Sequence, residues 1–130
     1  AIVFVIDMDR LKYINDTFGH SEGDYGIRTI AHVTRQICKN DEICVRAGGD
    51  EFYIIGIGDY NSIDAFVRAE QFNQVLAEAD KAAGKPYEIS ASIGCCCESL
   101  FHNNNIPDLL KIADSRMYNN KIAKKKQRKQ

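Results

Sequence analysis

The sequence predicts an α+β sandwich: a central, mostly antiparallel sheet of about five strands with helices packed on it, in the order β-α-α-β-β-α-β-α. Three observations carry this. Ile2-Val3-Phe4-Val5-Ile6 is a continuous β-branched and aromatic run, the pattern of a strand buried on both faces. Two short apolar segments flank Gly48-Gly49 and predict a hairpin, hence antiparallel pairing. Helically spaced apolar residues fill the intervals, which calls for one sheet with helices laid on it.

The elements follow in order. The first strand ends at Asp7-Met8-Asp9. Residues 10–20 carry turn signals, among them Asn15-Asp16 and Gly19-His20, and predict a short helix followed by a loop. Ser21 is a candidate N-cap for a second helix, with Ile27, Ile30, Ala31, Thr34, Ile37 and Cys38 at helical spacing. Ile43-Cys44-Val45 and Tyr53–Ile57 are the hairpin strands. Ser62 is expected to cap a third helix, with Phe66, Ala69, Phe72, Leu76 and Ala79 on one stripe and Gly84 past its end. Pro86–Cys97 reads as a strand and His102–Asn105 as a loop. Pro107 suits the first turn of a last helix, which buries Leu109, Leu110, Ala113 and Met117.

Bulk properties narrow the function. The 130 residues fit one domain, 1–130, able to bury roughly two thirds of its unfolded surface. With a net charge of −1, no global field favours nucleic acid or membrane. Lys121–Gln130 nonetheless holds six of the 17 Lys and Arg and no acid, as a solvated helix end would. Five cysteines, three of them adjacent, make a poor disulfide framework and indicate a reducing, cytoplasmic setting with inert thiols. No apolar run approaches the roughly 20 residues of a membrane span. The abrupt opening on a strand suggests a domain excised from a longer chain.

The chemistry lies in acids. Asp7 and Asp9 end a buried strand, where unpaired charge is costly. Asp50 and Glu51 stand on the hairpin turn. If the strands are neighbours, Asp7 and Asp50 converge and require a cation. Mg²⁺ is commonly held by one or two carboxylates plus substrate phosphates, the arrangement for phosphoryl or nucleotidyl transfer. Gly48 and Gly49 fit a two-residue loop that needs positive φ, and leave room for a nucleotide.

Asp7-Met8-Asp9-Arg10-Leu11-Lys12 with Asn15-Asp16, then Phe18-Gly19-His20 and Gly23-Asp24, then Arg46-Ala47-Gly48-Gly49-Asp50-Glu51-Phe52, then Ser92-Ile93-Gly94, then Ala113-Asp114 with Tyr118 and Lys121, resemble the successive motifs of the GGDEF family of diguanylate cyclases. The resemblance covers nearly the whole chain. It implies a palm-like nucleotidyl-cyclase fold and condensation of two GTP into cyclic di-GMP between two facing domains, with Mg²⁺ or Mn²⁺. A GTP-binding regulatory module without turnover is the alternative. It further implies an upstream sensor domain, a parent protein that a membrane anchor can hold, and no direct membrane contact by this domain. The family's leading helix is missing before Ile2.

The roles implied are specific. Asp7, Asp50 and Glu51, with the Met8 carbonyl, would hold the metal. Asp50, aided by Glu51, would accept the 3′-hydroxyl proton, and Lys12 would neutralise phosphate charge. Lys121 and Lys125 would grip the outer phosphates. Asn15 and Asp24 match the guanine-recognising pair, with His20 near the base or ribose. A carboxylate accepts from guanine N1–H and N2–H₂, donors that adenine lacks. Three departures stand out. Leu11 replaces Phe, Lys124-Lys125-Lys126 replaces Gly-Arg-Asn, and Lys39 and Glu42 occupy the Arg and Asp positions of the family's inhibitory site. Lys lacks the bidentate fork of Arg, so weak or absent product feedback is expected there.

Overall fold

The computed structural model describes residues 1–99 and 105–128. Its elements are β1 (Ile2–Met8), α1 (Leu11–Phe18), α2 (His20–Ile37), β2 (Ile43–Arg46), β3 (Glu51–Gly56), α3 (Ser62–Ala83), β4 (Ala91–Cys97) and α4 (Ile106–Arg128), in the expected order. The sheet is antiparallel, ordered β2-β3-β1-β4. Four strands among the described residues correct the expectation of about five.

β1 is central because it is paired on both sides and covered on both faces. Side chains alternate across a strand. Ile2, Phe4, Ile6 and Met8 therefore pack toward Ile30 and Val33 of α2 and Phe72 and Leu76 of α3. Val3 and Val5 pack against Leu109, Ala113 and Met117 of α4. Ile2 through Ile6 are fully buried, as the unbroken apolar run predicts. Each such side chain contributes about 1.5–3 kcal/mol by leaving water. A group at the end of β1 thus stands on rigid footing.

Two close approaches set the layers around that end. A methyl group on Gly94 of β4 would run into the Ala113 carbonyl and the Met117 amide, so α4 lies directly on the strand backbone. A methyl on Gly26 of α2 would meet the tip of the Met8 side chain. Ser92-Ile93-Gly94 therefore has a packing reason, and the Asn120 side chain adds to it by accepting from the Ile93 N–H at 3.1 Å.

Several local expectations are corrected. No loop follows α1: Gly19 alone, at φ 98°, turns the chain straight into α2. Ser21 lies inside α2 and is not its cap. Asn61, not Ser62, caps α3, exchanging hydrogen bonds with Asp64 in a capping box. Asn and Ser are comparable caps, so adjacent candidates are not separable from local sequence. Phe66 is exposed, and the buried face of α3 is Ala65, Arg68, Phe72 and Leu76. β4 begins at Ala91, so Pro86–Ser90 precede the strand. Gly84 ends α3 in the left-handed region as expected. Residues 102–104 of the predicted loop lie outside the described residues. No helix among the described residues is long and apolar enough to cross a membrane.

Candidate active site

The Gly48–Phe52 segment joins β2 to β3, but not as predicted. The turn spans Ala47–Asp50, with the Ala47 N–H donating to the Glu51 carbonyl at 2.9 Å. Neither Gly48 nor Gly49 has positive φ. Arg46 holds the turn instead, donating from Nε to the Gly48 carbonyl at 3.2 Å and from Nη2 to the Gly49 carbonyl at 2.6 Å. Above Gly49 the space is open, and nothing lies within 4 Å of a side chain placed there. These glycines are therefore not demanded by the turn's own backbone.

β1 lies beside this turn. Asp7 is directly opposite Glu51, and the Met8 N–H donates to the Asp50 carbonyl at 3.0 Å. The convergence of Asp7 with the turn is thus real. Burial raises the Asp7 carboxyl to about 6 from its ordinary 3.8; Lys121 opposes the rise, while Asp50 and Glu51 add to it. Lys121 of α4 answers part of this demand. Its Nζ lies 3.2 Å from Asp7 Oδ1 and donates to the Met8 carbonyl at 2.8 Å.

Asp9, two residues on, is a different kind of acid. It is 2% exposed and fully matched. Ser92 Oγ donates to Oδ1 at 2.7 Å and Ser90 Oγ to Oδ2 at 3.0 Å. Lys121, Lys124 and Arg128 lie at 3.3, 3.1 and 3.7 Å. Lys124 also donates to the Ala91 carbonyl. Burial alone would raise this carboxyl; the Ser92 hydroxyl and the lysines outweigh it and hold Asp9 below its ordinary value. No partner for Asp9 is predicted from the sequence. Its signal was the Lys121, Lys124, Arg128 spacing, one face of a helix, together with two serines on alternate residues. The basic helix end is therefore docked at those three positions rather than simply solvated.

The remaining predicted residues fall around this centre. Arg10, at φ 59°, turns β1 into α1, and no side chain caps the first turn of that helix. Lys12 is exposed on that turn. Asn15 of α1 presses so closely on Gly23 that a methyl there would meet its Oδ1. Asp24 follows Gly23 and is exposed, as is His20 at the start of α2. Lys121 and Lys125 line a cleft of about 710 Å³ with Asp9, Arg10, Tyr118, Ile122 and Arg128. Four cations and one acid make that cleft suited to an anion.

Lys39 and Glu42 part company. Lys39 is exposed. Glu42 is buried and committed to Arg68, with Nη1 to Oε1 at 2.6 Å and Nη2 to Oε2 at 2.9 Å. Tyr60 donates to Oε2 at 2.9 Å and the Lys39 N–H to Oε1 at 3.0 Å. Arg68 was missed because a helical arginine ordinarily faces water; its clue was its place between Ala65 and Phe72 on the buried stripe.

The donor set at β1 and the turn suits a hard cation. Among the described residues no group of three or more His, Cys, Asp or Glu could hold a metal ion by itself, so any ion here would need ligands from outside the chain. Asp7, the Met8 carbonyl and the turn carboxylates are oxygen donors of the kind that would hold Mg²⁺ if waters and phosphates completed its shell. The Lys121 ammonium on Asp7 and Met8 stands in for such a charge. The five cysteines are free thiols and take no part.

Comparison with known proteins bears on the fold and the family. The chain is 34% identical over 125 residues to the probable diguanylate cyclase DgcJ of Escherichia coli, covering 95% of this chain and 24% of that protein. It is 35% identical over 133 residues to the biofilm architecture maintenance protein MbaA of Vibrio cholerae, covering 96% of this chain and 17% of that one. The chain thus spans about a quarter or less of these two relatives. The solved GGDEF domain of YfiN (TpbB) from Pseudomonas aeruginosa superposes with a TM-score of 0.80 at 30% identity, over 94% of this chain and 71% of that one. The family described as "Diguanylate cyclase, GGDEF domain" matches residues 1–127, and the chain belongs to it.

Proposed function

We propose that the domain binds GTP with Mg²⁺ or Mn²⁺ and that two copies, face to face, condense two GTP into one cyclic di-GMP and two pyrophosphates. The observation that carries this is the meeting of Asp7, the Met8 carbonyl and the Asp50-Glu51 turn, with a cationic side chain already drawn to Asp7. Asp7, Met8, Asp50 and Glu51 would hold the metal, which supplies charge neutralisation and acidifies the attacking hydroxyl. Asp50 and Glu51 take the 3′-hydroxyl proton. The 3′-oxygen then attacks the α-phosphorus of the opposite nucleotide, and pyrophosphate leaves.

Electrostatics and positioning support the rest. The uncapped first turn of α1 presents backbone N–H groups to phosphate, and Lys12 stands beside them. Lys121 and Lys125 face the outer phosphates from the cationic cleft. Open space over Gly49 would let the nucleotide approach the turn. Asn15, fixed against Gly23, and Asp24 would read guanine, with His20 alongside. Glu42, bound by Arg68, is withheld from any product-feedback site, leaving Lys39 alone there. A cytoplasmic location and an upstream sensor domain that sets the pairing belong to the same proposal.

The test is direct. The chain, fused to a dimerising coiled coil, is incubated with GTP and Mg²⁺ and its products are chromatographed. Cyclic di-GMP that disappears in Asp50→Ala is the expected result. Its absence from the unaltered chain sinks the cyclase, and GTP binding without pyrophosphate release would instead mark a silent regulatory module.

A further inference from the structure

Lys121 sits where a cation is demanded. An ammonium has three donors, and three oxygens surround this one: the Met8 carbonyl at 2.8 Å, Asp7 Oδ1 at 3.2 Å and Asp9 Oδ1 at 3.3 Å. Two of these belong to the metal-ligand set proposed above. A divalent ion and an ammonium repel, so they cannot share Asp7 and Met8.

The surroundings allow Lys121 to leave. Asp9 does not depend on it, because Ser90, Ser92, Lys124 and Arg128 remain as partners. The Lys121 side chain is 28% exposed and borders the cleft that it shares with Lys125, one helical turn further on. A short swing of a flexible stem would carry the ammonium from the carboxylate to an anion in that cleft.

We propose that Lys121 is a built-in occupant of the cation site, holding Asp7 and the Met8 carbonyl against metal until a triphosphate draws it away. The proposal rests on taking Asp7 and Met8 as metal ligands. Metal alone must displace the lysine, and a triphosphate offers the displaced lysine a new partner. Metal and nucleotide therefore favour each other's binding, and thermodynamic linkage makes the preference reciprocal.

Mn²⁺ titration of the nucleotide-free chain, read as the loss of the free-ion EPR signal, tests this without turnover. Lys121→Met is expected to bind Mn²⁺ about two- to fivefold more tightly than the unaltered chain, the scale of removing one rim ion pair. Lys121→Arg, which keeps the charge, is expected to return toward the weaker binding. Asp7→Asn in the Lys121→Met background is expected to abolish the gain. Thermal unfolding verifies that each variant is folded, and Lys121→Gln replaces Lys121→Met if that variant is not. Equal or weaker Mn²⁺ binding by Lys121→Met, with Asp7→Asn still lowering it, overturns the lysine's role and leaves the metal site standing. Mn²⁺ binding that is absent, or indifferent to Asp7→Asn, overturns both.

Discussion

The sheet has an acid at each end, and the two are treated in opposite ways. At the Glu42 end, a buried carboxylate meets a bidentate guanidinium, a phenol and a backbone N–H. Burial alone would raise it, but Arg68, Lys39 N–H and Tyr60 outweigh burial and hold it below its ordinary 4.5. At the Asp7 end, burial wins and acids gather near one lysine. A carboxylate that serves the fold is matched by the fold. One only partly matched, as Asp7 is beside Lys121, is a candidate functional group.

The widest separation of the two ends is expected from Asp50→Ala. If Asp50 is the base proposed above, its loss should lower the rate of cyclic di-GMP formation by about 10²–10⁴-fold, while stability changes by less than about 0.5 kcal/mol, since the side chain is half-buried on a turn and has no role in the core. Product assays paired with urea unfolding measure both; a large stability loss would break the contrast.

Arg68→Leu does the reverse. It strands a buried Glu42 and is expected to cost about 3–5 kcal/mol of stability. The urea midpoint reads this, and Arg68→Leu with Glu42→Leu should recover much of the loss. A cost under about 1 kcal/mol would mean that the pair is weaker than its geometry implies.

A matched pair of glycine substitutions sharpens the contrast at smaller scale. A methyl on Gly56 would press on the Tyr60 hydroxyl and come within 3.0 Å of Glu42 Cγ. Gly56→Ala is therefore expected to cost about 1–3 kcal/mol by overpacking. Gly49→Ala meets open space and no positive φ, and should stay within about 0.5 kcal/mol. Thermal melts of the two variants decide it.

The smallest effect is a pH slope. Because Glu42 titrates lower in the folded chain than its ordinary 4.5, its stabilisation is full above that value and fades as pH falls toward the folded value. Glu42→Gln should flatten the acid limb of a stability–pH curve below about 4.5. An unchanged limb would assign that acid sensitivity to other groups.

The contrast also explains what the sequence makes legible. β1 was plain because burial on both faces leaves an unbroken apolar run. Element order followed from alternating periodicities, and the meeting of Asp7 with the Gly48–Phe52 turn followed from strand neighbourhood. Caps were misplaced by one or two residues because Gly19 against Ser21, and Asn61 against Ser62, differ only in tertiary setting. For ion partners far apart in sequence, spacing marked which side chains turn inward but not which acid they meet. Nothing local ties Arg68 to Glu42, or Lys124 and Arg128 to Asp9. Exposed candidates such as Lys12, His20 and Asp24 were named by family motif, since a solvated side chain leaves no imprint on periodicity.

α4 joins two kinds of attachment in one rod. Leu109, Ala113 and Met117 hold its first half by excluding water. From Lys121 onward it is held by charge on Asp9 and Asp7. Dissolved salt screens exposed charges strongly and buried ones little, and the acids on which this second half rests are mostly out of water. The far half of the rod is therefore anchored by charge in a form that salt reaches poorly, so both halves should stay seated as ionic strength rises. Lys121, Ile122, Lys125 and Arg128, which border the cationic cleft from that half, inherit this steadiness.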